Sequence, residues 1–124
     1  MDIKNKKSRV FIVQNQLRKD PETGELVPRF DLSPAKIYGD FIFLLGSNAK
    51  PFRSDSVLKD LHLSLKDYSD NDYLLLIGSP VLIGFAVAIA ADNNQGQIQL
   101  LQWNGDLNQY IVIKNNIFSI QMEK

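Results

Sequence analysis

At 124 residues, with 44% hydrophobic and 23% charged side chains, the chain has the size and composition of one ordinary globular domain. It has no cysteine and one histidine, His62, which excludes disulfides, thiolate nucleophiles, iron–sulfur clusters, cysteine zinc sites and two-histidine metal sites within one chain. Its 14 basic residues balance 14 acidic ones, which argues against a protein whose main task is gripping nucleic-acid phosphates.

Met1 to Arg9 is polar, carries Lys4, Lys6, Lys7 and Arg9, and lacks the apolar stretch of a secretory signal. Residues 1–8 are expected to form a flexible tail and residues 9–124 a single domain. Arg9 to Leu17 reads as a strand, and Asp20-Pro21-Glu22-Thr23-Gly24 as a turn. Glu25 to Leu32 returns as a second strand, placed at an edge by Pro28, so the two predict an N-terminal hairpin. Ser33-Pro34 then opens a short helix that Gly39 stops.

Phe41 to Leu45 is a continuous apolar run ending in Gly46-Ser47, as in a strand buried on both faces. Ser56 to Tyr68 has helical periodicity, with Val57, Leu58, Leu61 and Leu65 on one stripe. His62 extends that stripe one step from Leu58, which predicts a partly buried ring. Tyr73 to Ile77 is a second buried-type strand, and Gly78-Ser79 leads into a helix over Pro80 to Ala91 that is apolar all round. Its Gly84, Ala86, Ala88, Ala90 and Ala91 permit close approach to a sheet. Gln97 to Trp103 and Gln109 to Lys114 flank Asn104-Gly105, a hairpin turn signal, and Ile117 to Ile120 adds a further short strand.

Tyr73 to Ala91 carries no charge, close to the length that spans a bilayer. Gly78-Ser79-Pro80 breaks it, and its flanks are Asp70, Asp72 and Asp92 instead of basic residues. A membrane span is therefore not expected. With no cysteine and no signal, the cytoplasm is the default compartment. The fold class is α/β: a single-domain mixed sheet, two main helices, a central strand–helix–strand unit and a β-hairpin at each end. The unit from Asp40 to Ile77 is a right-handed crossover if its strands are parallel neighbours. Two and three layers both remain open.

Asp40-Phe-Ile-Phe-Leu-Leu-Gly-Ser47 and Asp72-Tyr-Leu-Leu-Leu-Ile-Gly-Ser79 echo each other. If both Gly-Ser ends lie on one edge of a parallel pair, they mark where open α/β sheets bind ligands. Gly46, Ser47, Gly78 and Ser79, with Lys50 and Arg53 supplying positive charge, then form a candidate nucleotide or phosphate site beside the second helix. The spacings that define phosphate cradles are missing, and Pro80 removes one N–H donor. Asp40, Asp70, Asp72 and Asp92 sit at element boundaries where capping explains them; an Asp70–Asp72 pair for Mg²⁺ lacks a third ligand. Neither Gly-Ser is a nucleophile elbow, and His62 is the only imidazole base, so no catalytic residue is assigned, and no cofactor or metal. Trp103 and Tyr110 face each other across the last hairpin turn, either as a stabilising cross-strand pair or as a partner anchor.

Three blocks carry a resemblance. They are Asp31-Leu-Ser-Pro-Ala35 with Tyr38-Gly39; Asp72 to Pro80 with Ile83-Gly84 and Ala88 to Ala91; and Leu100-Leu-Gln-Trp103 with Tyr110 and Ile113. From about Val10 to Ile113 the chain resembles a group of small proteins of tailed bacteriophages, notably those of marine bacteria and cyanobacteria, with no assigned activity. The resemblance implies a protein working in the cytoplasm of an infected bacterium. The leading expectation is a non-enzymatic interaction protein that binds a host or virion protein through Trp103 and Tyr110 or the edge near Pro28. The alternatives are a small-ligand domain at the Gly-Ser ends and a virion-associated structural protein. Homo-oligomerisation is left open, since the apolar Pro80 helix could be buried within one protomer or shared in a dimer.

Overall fold

The computed structural model describes residues 7–119. Seven strands follow in chain order: β1 (Arg9–Gln14), β2 (Leu17–Lys19), β3 (Leu26–Pro28), β4 (Asp40–Leu45), β5 (Tyr73–Leu75), β6 (Gln97–Asn104) and β7 (Gln109–Asn116). Two α-helices, α1 (Ser54–Ser64) and α2 (Pro80–Asn93), and a 3-10 helix (Ser33–Tyr38) complete it. The main sheet runs β4-β1-β5-β6-β7, with the first four strands parallel and β7 antiparallel to β6. The expected mixed α/β sheet with two main helices and a terminal hairpin at each end is what the chain forms.

The first hairpin is smaller than the sequence suggests. The run Val10-Phe11-Ile12-Val13 is wholly buried and lies inside the main sheet, between β4 and β5. Only β2 and β3 pair as a separate two-stranded ribbon, Leu17 opposite Pro28. The turn signal at Asp20–Gly24 is real, and Gly24 adopts φ 75° there. Four consecutive apolar residues buried on both faces suit a strand packed within a sheet better than half of an isolated hairpin. The Asp40–Ile77 unit also differs from the simplest reading: β4 and β5 are parallel but β1 lies between them.

Alternation along the strands sends Phe11, Val13, Leu44, Leu74 and Ile98 to one face, where α1 and α2 cover them. Val57 and Leu61 of α1, with Leu65 just beyond its end, are buried there, as are Leu82, Ala86, Ile89, Ala90 and Ala91 of α2. His62 points into solvent, one position off that stripe, contrary to the expected burial. Burying each large apolar side chain contributes roughly 1.5–3 kcal/mol. The opposite face, with Val10, Ile12, Leu75, Leu101 and Tyr110, is covered by Ala35, Leu32 and Tyr38 of the 3-10 segment. Where a doubly wound sheet carries a helix after its first strand, this chain has a hairpin and one 3-10 helix. That thin cover leaves Phe43 of edge strand β4 46% exposed, so β4 is not buried on both faces.

At the amino ends of the strands, Asp72 is fully buried and takes two hydrogen bonds from Arg9: Nε to Oδ1 at 3.0 Å and Nη2 to Oδ2 at 2.8 Å. The Ser69 N–H and hydroxyl donate to the same carboxylate at 2.9 and 3.2 Å. Tyr68 beside it donates to the Asp72 carbonyl and accepts from the Gln99 N–H, and burial pushes its phenol up to about 12. Arg9 is therefore part of the sheet and its polar core. Lys4, Lys6 and the rest of residues 1–6 lie outside the described residues, as does Ile120. Ile117 and Phe118 form a turn after β7 and not a further strand.

No helix among the described residues is long and apolar enough to cross a membrane. The uncharged stretch from Tyr73 divides at Gly78 into β5 and the 14-residue α2.

Candidate functional site

The connections on the two sides of β1 leave in opposite directions, so the topological switch lies at its carboxyl end. Gln14 fills that position and is buried. Its Nε2 donates to the carbonyls of Gly46 and Ala49 at 3.3 and 3.2 Å, and its Oε1 accepts the Ser79 N–H at 3.0 Å. The two Gly-Ser ends do reach one sheet edge, as the sequence echo suggests. What joins them is a side chain of the protein itself. Gly78 adopts φ 139°, and a Cβ there would lie 2.7 Å from the Gln14 Cβ, so both the backbone conformation and the close approach require glycine.

The six residues of the sequence-based phosphate site are consequently divided. Gly46, Lys50 and Arg53 line a depression of about 420 Å³ against Ser56, Val57 and Asp60 of α1. Ser47 is exposed beside it, and the Ser79 N–H is already engaged by Gln14. Gly78 instead lines a cleft of about 510 Å³ on the thinly covered sheet face, with Trp103, Tyr110, Phe30, Arg29, Asp31 and Gln16 among its walls. The two depressions have no lining residue in common.

Trp103 and Tyr110 are directly opposed in the β6–β7 ladder, and their rings meet edge to face with centroids 5.0 Å apart at 70°. Tyr110 is 5% exposed and Trp103 44%. One ring is thus a rigid base, and the other stands on it in reach of a partner. An aromatic pair in this arrangement contributes about 0.5–1.5 kcal/mol beyond burial. Burial, and then the charge of Asp31, push the Tyr110 phenol above its ordinary value. Asp31 itself is held below the usual carboxylate range by the Ser33 N–H and hydroxyl, at 3.0 and 2.7 Å.

The segment Arg29–Leu32 crosses this face between the first cleft and a neighbouring one of about 530 Å³, whose walls include Phe41, Phe43, Arg18 and Lys36. Arg29 lies over the Phe30 ring, 5.9 Å from its centroid. The surface is therefore an aromatic platform, Trp103, Phe30 and Phe43, rimmed by Arg18, Arg29 and Lys36. Phe30 and Arg29 escape sequence reasoning because they fall in a connection with no periodicity; an aromatic beside an arginine after Pro28 was the only signal. Asp70 is exposed and accepts from the Asn94 side chain, while Asp72 is occupied by Arg9, so the pair does not converge as a metal site.

A profile of the family described as phage Pam3 gp32-like protein matches residues 8–117. No curated protein and no solved structure matches the chain significantly.

Proposed function

The chain belongs to the phage Pam3 gp32-like protein family, and on that premise we propose that it is a non-enzymatic interaction protein. It works in the cytoplasm of the infected cell and holds a host or virion protein against the cleft face of its sheet. The observation that carries this reading is Trp103: nearly half exposed, yet fixed edge-on against buried Tyr110 at the mouth of an apolar cleft. Tryptophan and arginine, in a setting that excludes water around them, dominate binding hot spots. Phe30, Phe43 and the three basic residues of the rim extend the contact. His62 lies on α1, on the opposite side of the sheet, and supplies no base to the cleft.

The test compares wild-type protein and Trp103→Ala as baits for host lysate and for disrupted virions. A retained partner should bind the variant at least about 30-fold more weakly, the equivalent of about 2 kcal/mol. The melting temperature should fall only by the few degrees that the lost aromatic pair is worth. A fall of about 10 °C or more assigns Trp103 to the core and removes the anchor. Finding the chain itself in intact purified virions assigns the surface a structural role in the particle.

A second reading has one observation in its favour. The cleft with Gly78 lies outside the carboxyl ends of the strands, beside the switch point where open α/β sheets take small ligands. A nucleotide or sugar phosphate at about one hundred times its dissociation constant should then stabilise the protein by about 2.7 kcal/mol, read as a rise of several degrees in melting temperature. A flat response across such a panel removes this reading.

A further inference from the structure

Strand β7 is an edge strand of eight residues, and the described residues place no strand along its outer side. It carries none of the devices that blunt an edge: it has no proline, no bulge in its ladder with β6, and a single charge, Lys114. Val112 on one face and Ile113 on the other are each 38% exposed. The opposite edge, β4, is shorter and opens on Asp40, which pairs with Lys7 at 3.2 Å.

The ladder fixes which backbone groups face outward. Ile117 N–H donates to the Gly96 carbonyl at 2.9 Å, and in the β6–β7 register these two residues are opposed. Hydrogen-bonded pairs recur at every second residue of an antiparallel ladder. Gln109, Ile111, Ile113 and Asn115 therefore bond to β6, while Tyr110, Val112, Lys114 and Asn116 present N–H and C=O to the free edge. The Tyr38 hydroxyl, 3.5 Å from the Tyr110 carbonyl, approaches that outward side, as this alternation requires.

We propose that β7 pairs antiparallel with β7 of a second copy of this chain, about a two-fold axis at Val112, and joins two five-stranded sheets into one. The occupant follows from the strand's own symmetry. Centred on Val112, the pairing opposes outward-facing residues only: Val112 to Val112 of the partner copy, and Tyr110 to Lys114 in both directions. That makes three hydrogen-bonded pairs, in which the second lone pair of each Tyr110 carbonyl takes the Lys114 N–H of the other copy beside the long contact from its own Tyr38 hydroxyl. The same register sets Ile111 against Ile113 on the other face, so apolar residues meet apolar ones, and each Lys114 ammonium lies beside a Tyr110 ring instead of another ammonium. A shift to an axis at Ile113 sets Val112 against Lys114 and Ile111 against Asn115, losing both matches. Registers that oppose even to odd residues set outward groups against inward ones and form no ladder. The dimer carries its two Trp103 platforms on one face of a ten-stranded sheet.

The absence of cysteine makes the register directly readable. Full-length protein at about 100 µM is expected to sediment with the mass of two chains. Under mild oxidation Val112→Cys should cross-link to a covalent dimer, because the Cα atoms of a hydrogen-bonded antiparallel pair lie about 5.5 Å apart, inside disulfide range. Ile111→Cys and Ile113→Cys alone should cross-link at least about tenfold less, and the two together should cross-link. Val112→Lys, which sets two ammonium groups together on the axis, should sediment as a folded monomer. A wild-type monomer at that concentration overturns the proposal, as does a dimer that cross-links best through Ile113→Cys. Dimerisation seen only after deletion of residues 120–124 overturns it as well, because it assigns the edge to the chain's own C-terminal segment.

Discussion

Arg9→Ala is expected to destabilise the protein by about 3–5 kcal/mol and to lower its melting temperature by about 10–20 °C. The reason is what the substitution leaves behind. Asp72 is fully buried, and its carboxylate is met on both oxygens by the Arg9 guanidinium, which also reaches the Asp67 carbonyl at 3.1 Å. With Arg9 gone, a buried carboxylate retains only the Ser69 donors, and an uncompensated buried charge is far more costly than the pair is favourable. The double variant Arg9→Met with Asp72→Asn separates these contributions. It keeps a hydrogen-bonding group for Ser69, removes both charges and should recover a substantial part of the loss. Thermal denaturation of the two variants decides the matter; equal damage in the single and the double variant would show that the ion pair is not what Arg9 supplies.

Gly39→Ala should lose about 2–5 kcal/mol, the sum of a strained backbone and an overpacked contact. Gly39 ends the 3-10 helix at φ 151°, a conformation that L side chains rarely adopt. A Cβ there would lie 2.6 Å from the Ser8 carbonyl carbon and nearer still to its oxygen, and that oxygen accepts the Asp40 N–H at 3.1 Å. These are backbone atoms at the first rung of the β1–β4 ladder, so no rotamer change relieves the contact. Gly24→Ala is the matched control. It too has positive φ, at 75°, but open space around it, and should lose only about 1–2 kcal/mol. Equal losses at the two positions would assign the effect to φ alone and not to the close approach.

The elements legible in the sequence were those whose partners are close in the chain or whose periodicity is complete. The helix pattern from Val57 to Leu65, the apolar stretch of α2 and the Asn104-Gly105 hairpin with Trp103 opposite Tyr110 all belong to this group. Position within the sheet was not legible. Val10–Val13 and Phe41–Leu45 are both apolar runs, yet the first is internal and the second is an edge, because strand order is decided by tertiary packing and not by composition. The Gly-Ser echo correctly indicated a shared sheet edge. It could not show that Gln14, a single polar residue after four apolar ones, occupies the gap between the two ends. The candidate cleft was half legible. Trp103, Tyr110 and Gly78 stood out, whereas Phe30 and Arg29 arrive by way of an aperiodic connection.

The placement of β1 has a consequence for how the chain is made. A strand that ends up inside the sheet is made before the other six described strands, and Arg9 must wait for a partner 63 residues later in the chain. At ordinary elongation rates of about 5–20 residues per second, that interval is several seconds. Until β4 appears Val10–Val13 has neither of its strand neighbours, and its second side stays open until β5 has been synthesised. The last part of the molecule is the reverse case: α2, β6 and β7 are contiguous, and the β6–β7 ladder zips from its own turn. A local hairpin at the late end thus completes a sheet whose first-made strand, β1, takes its two neighbours from far along the chain.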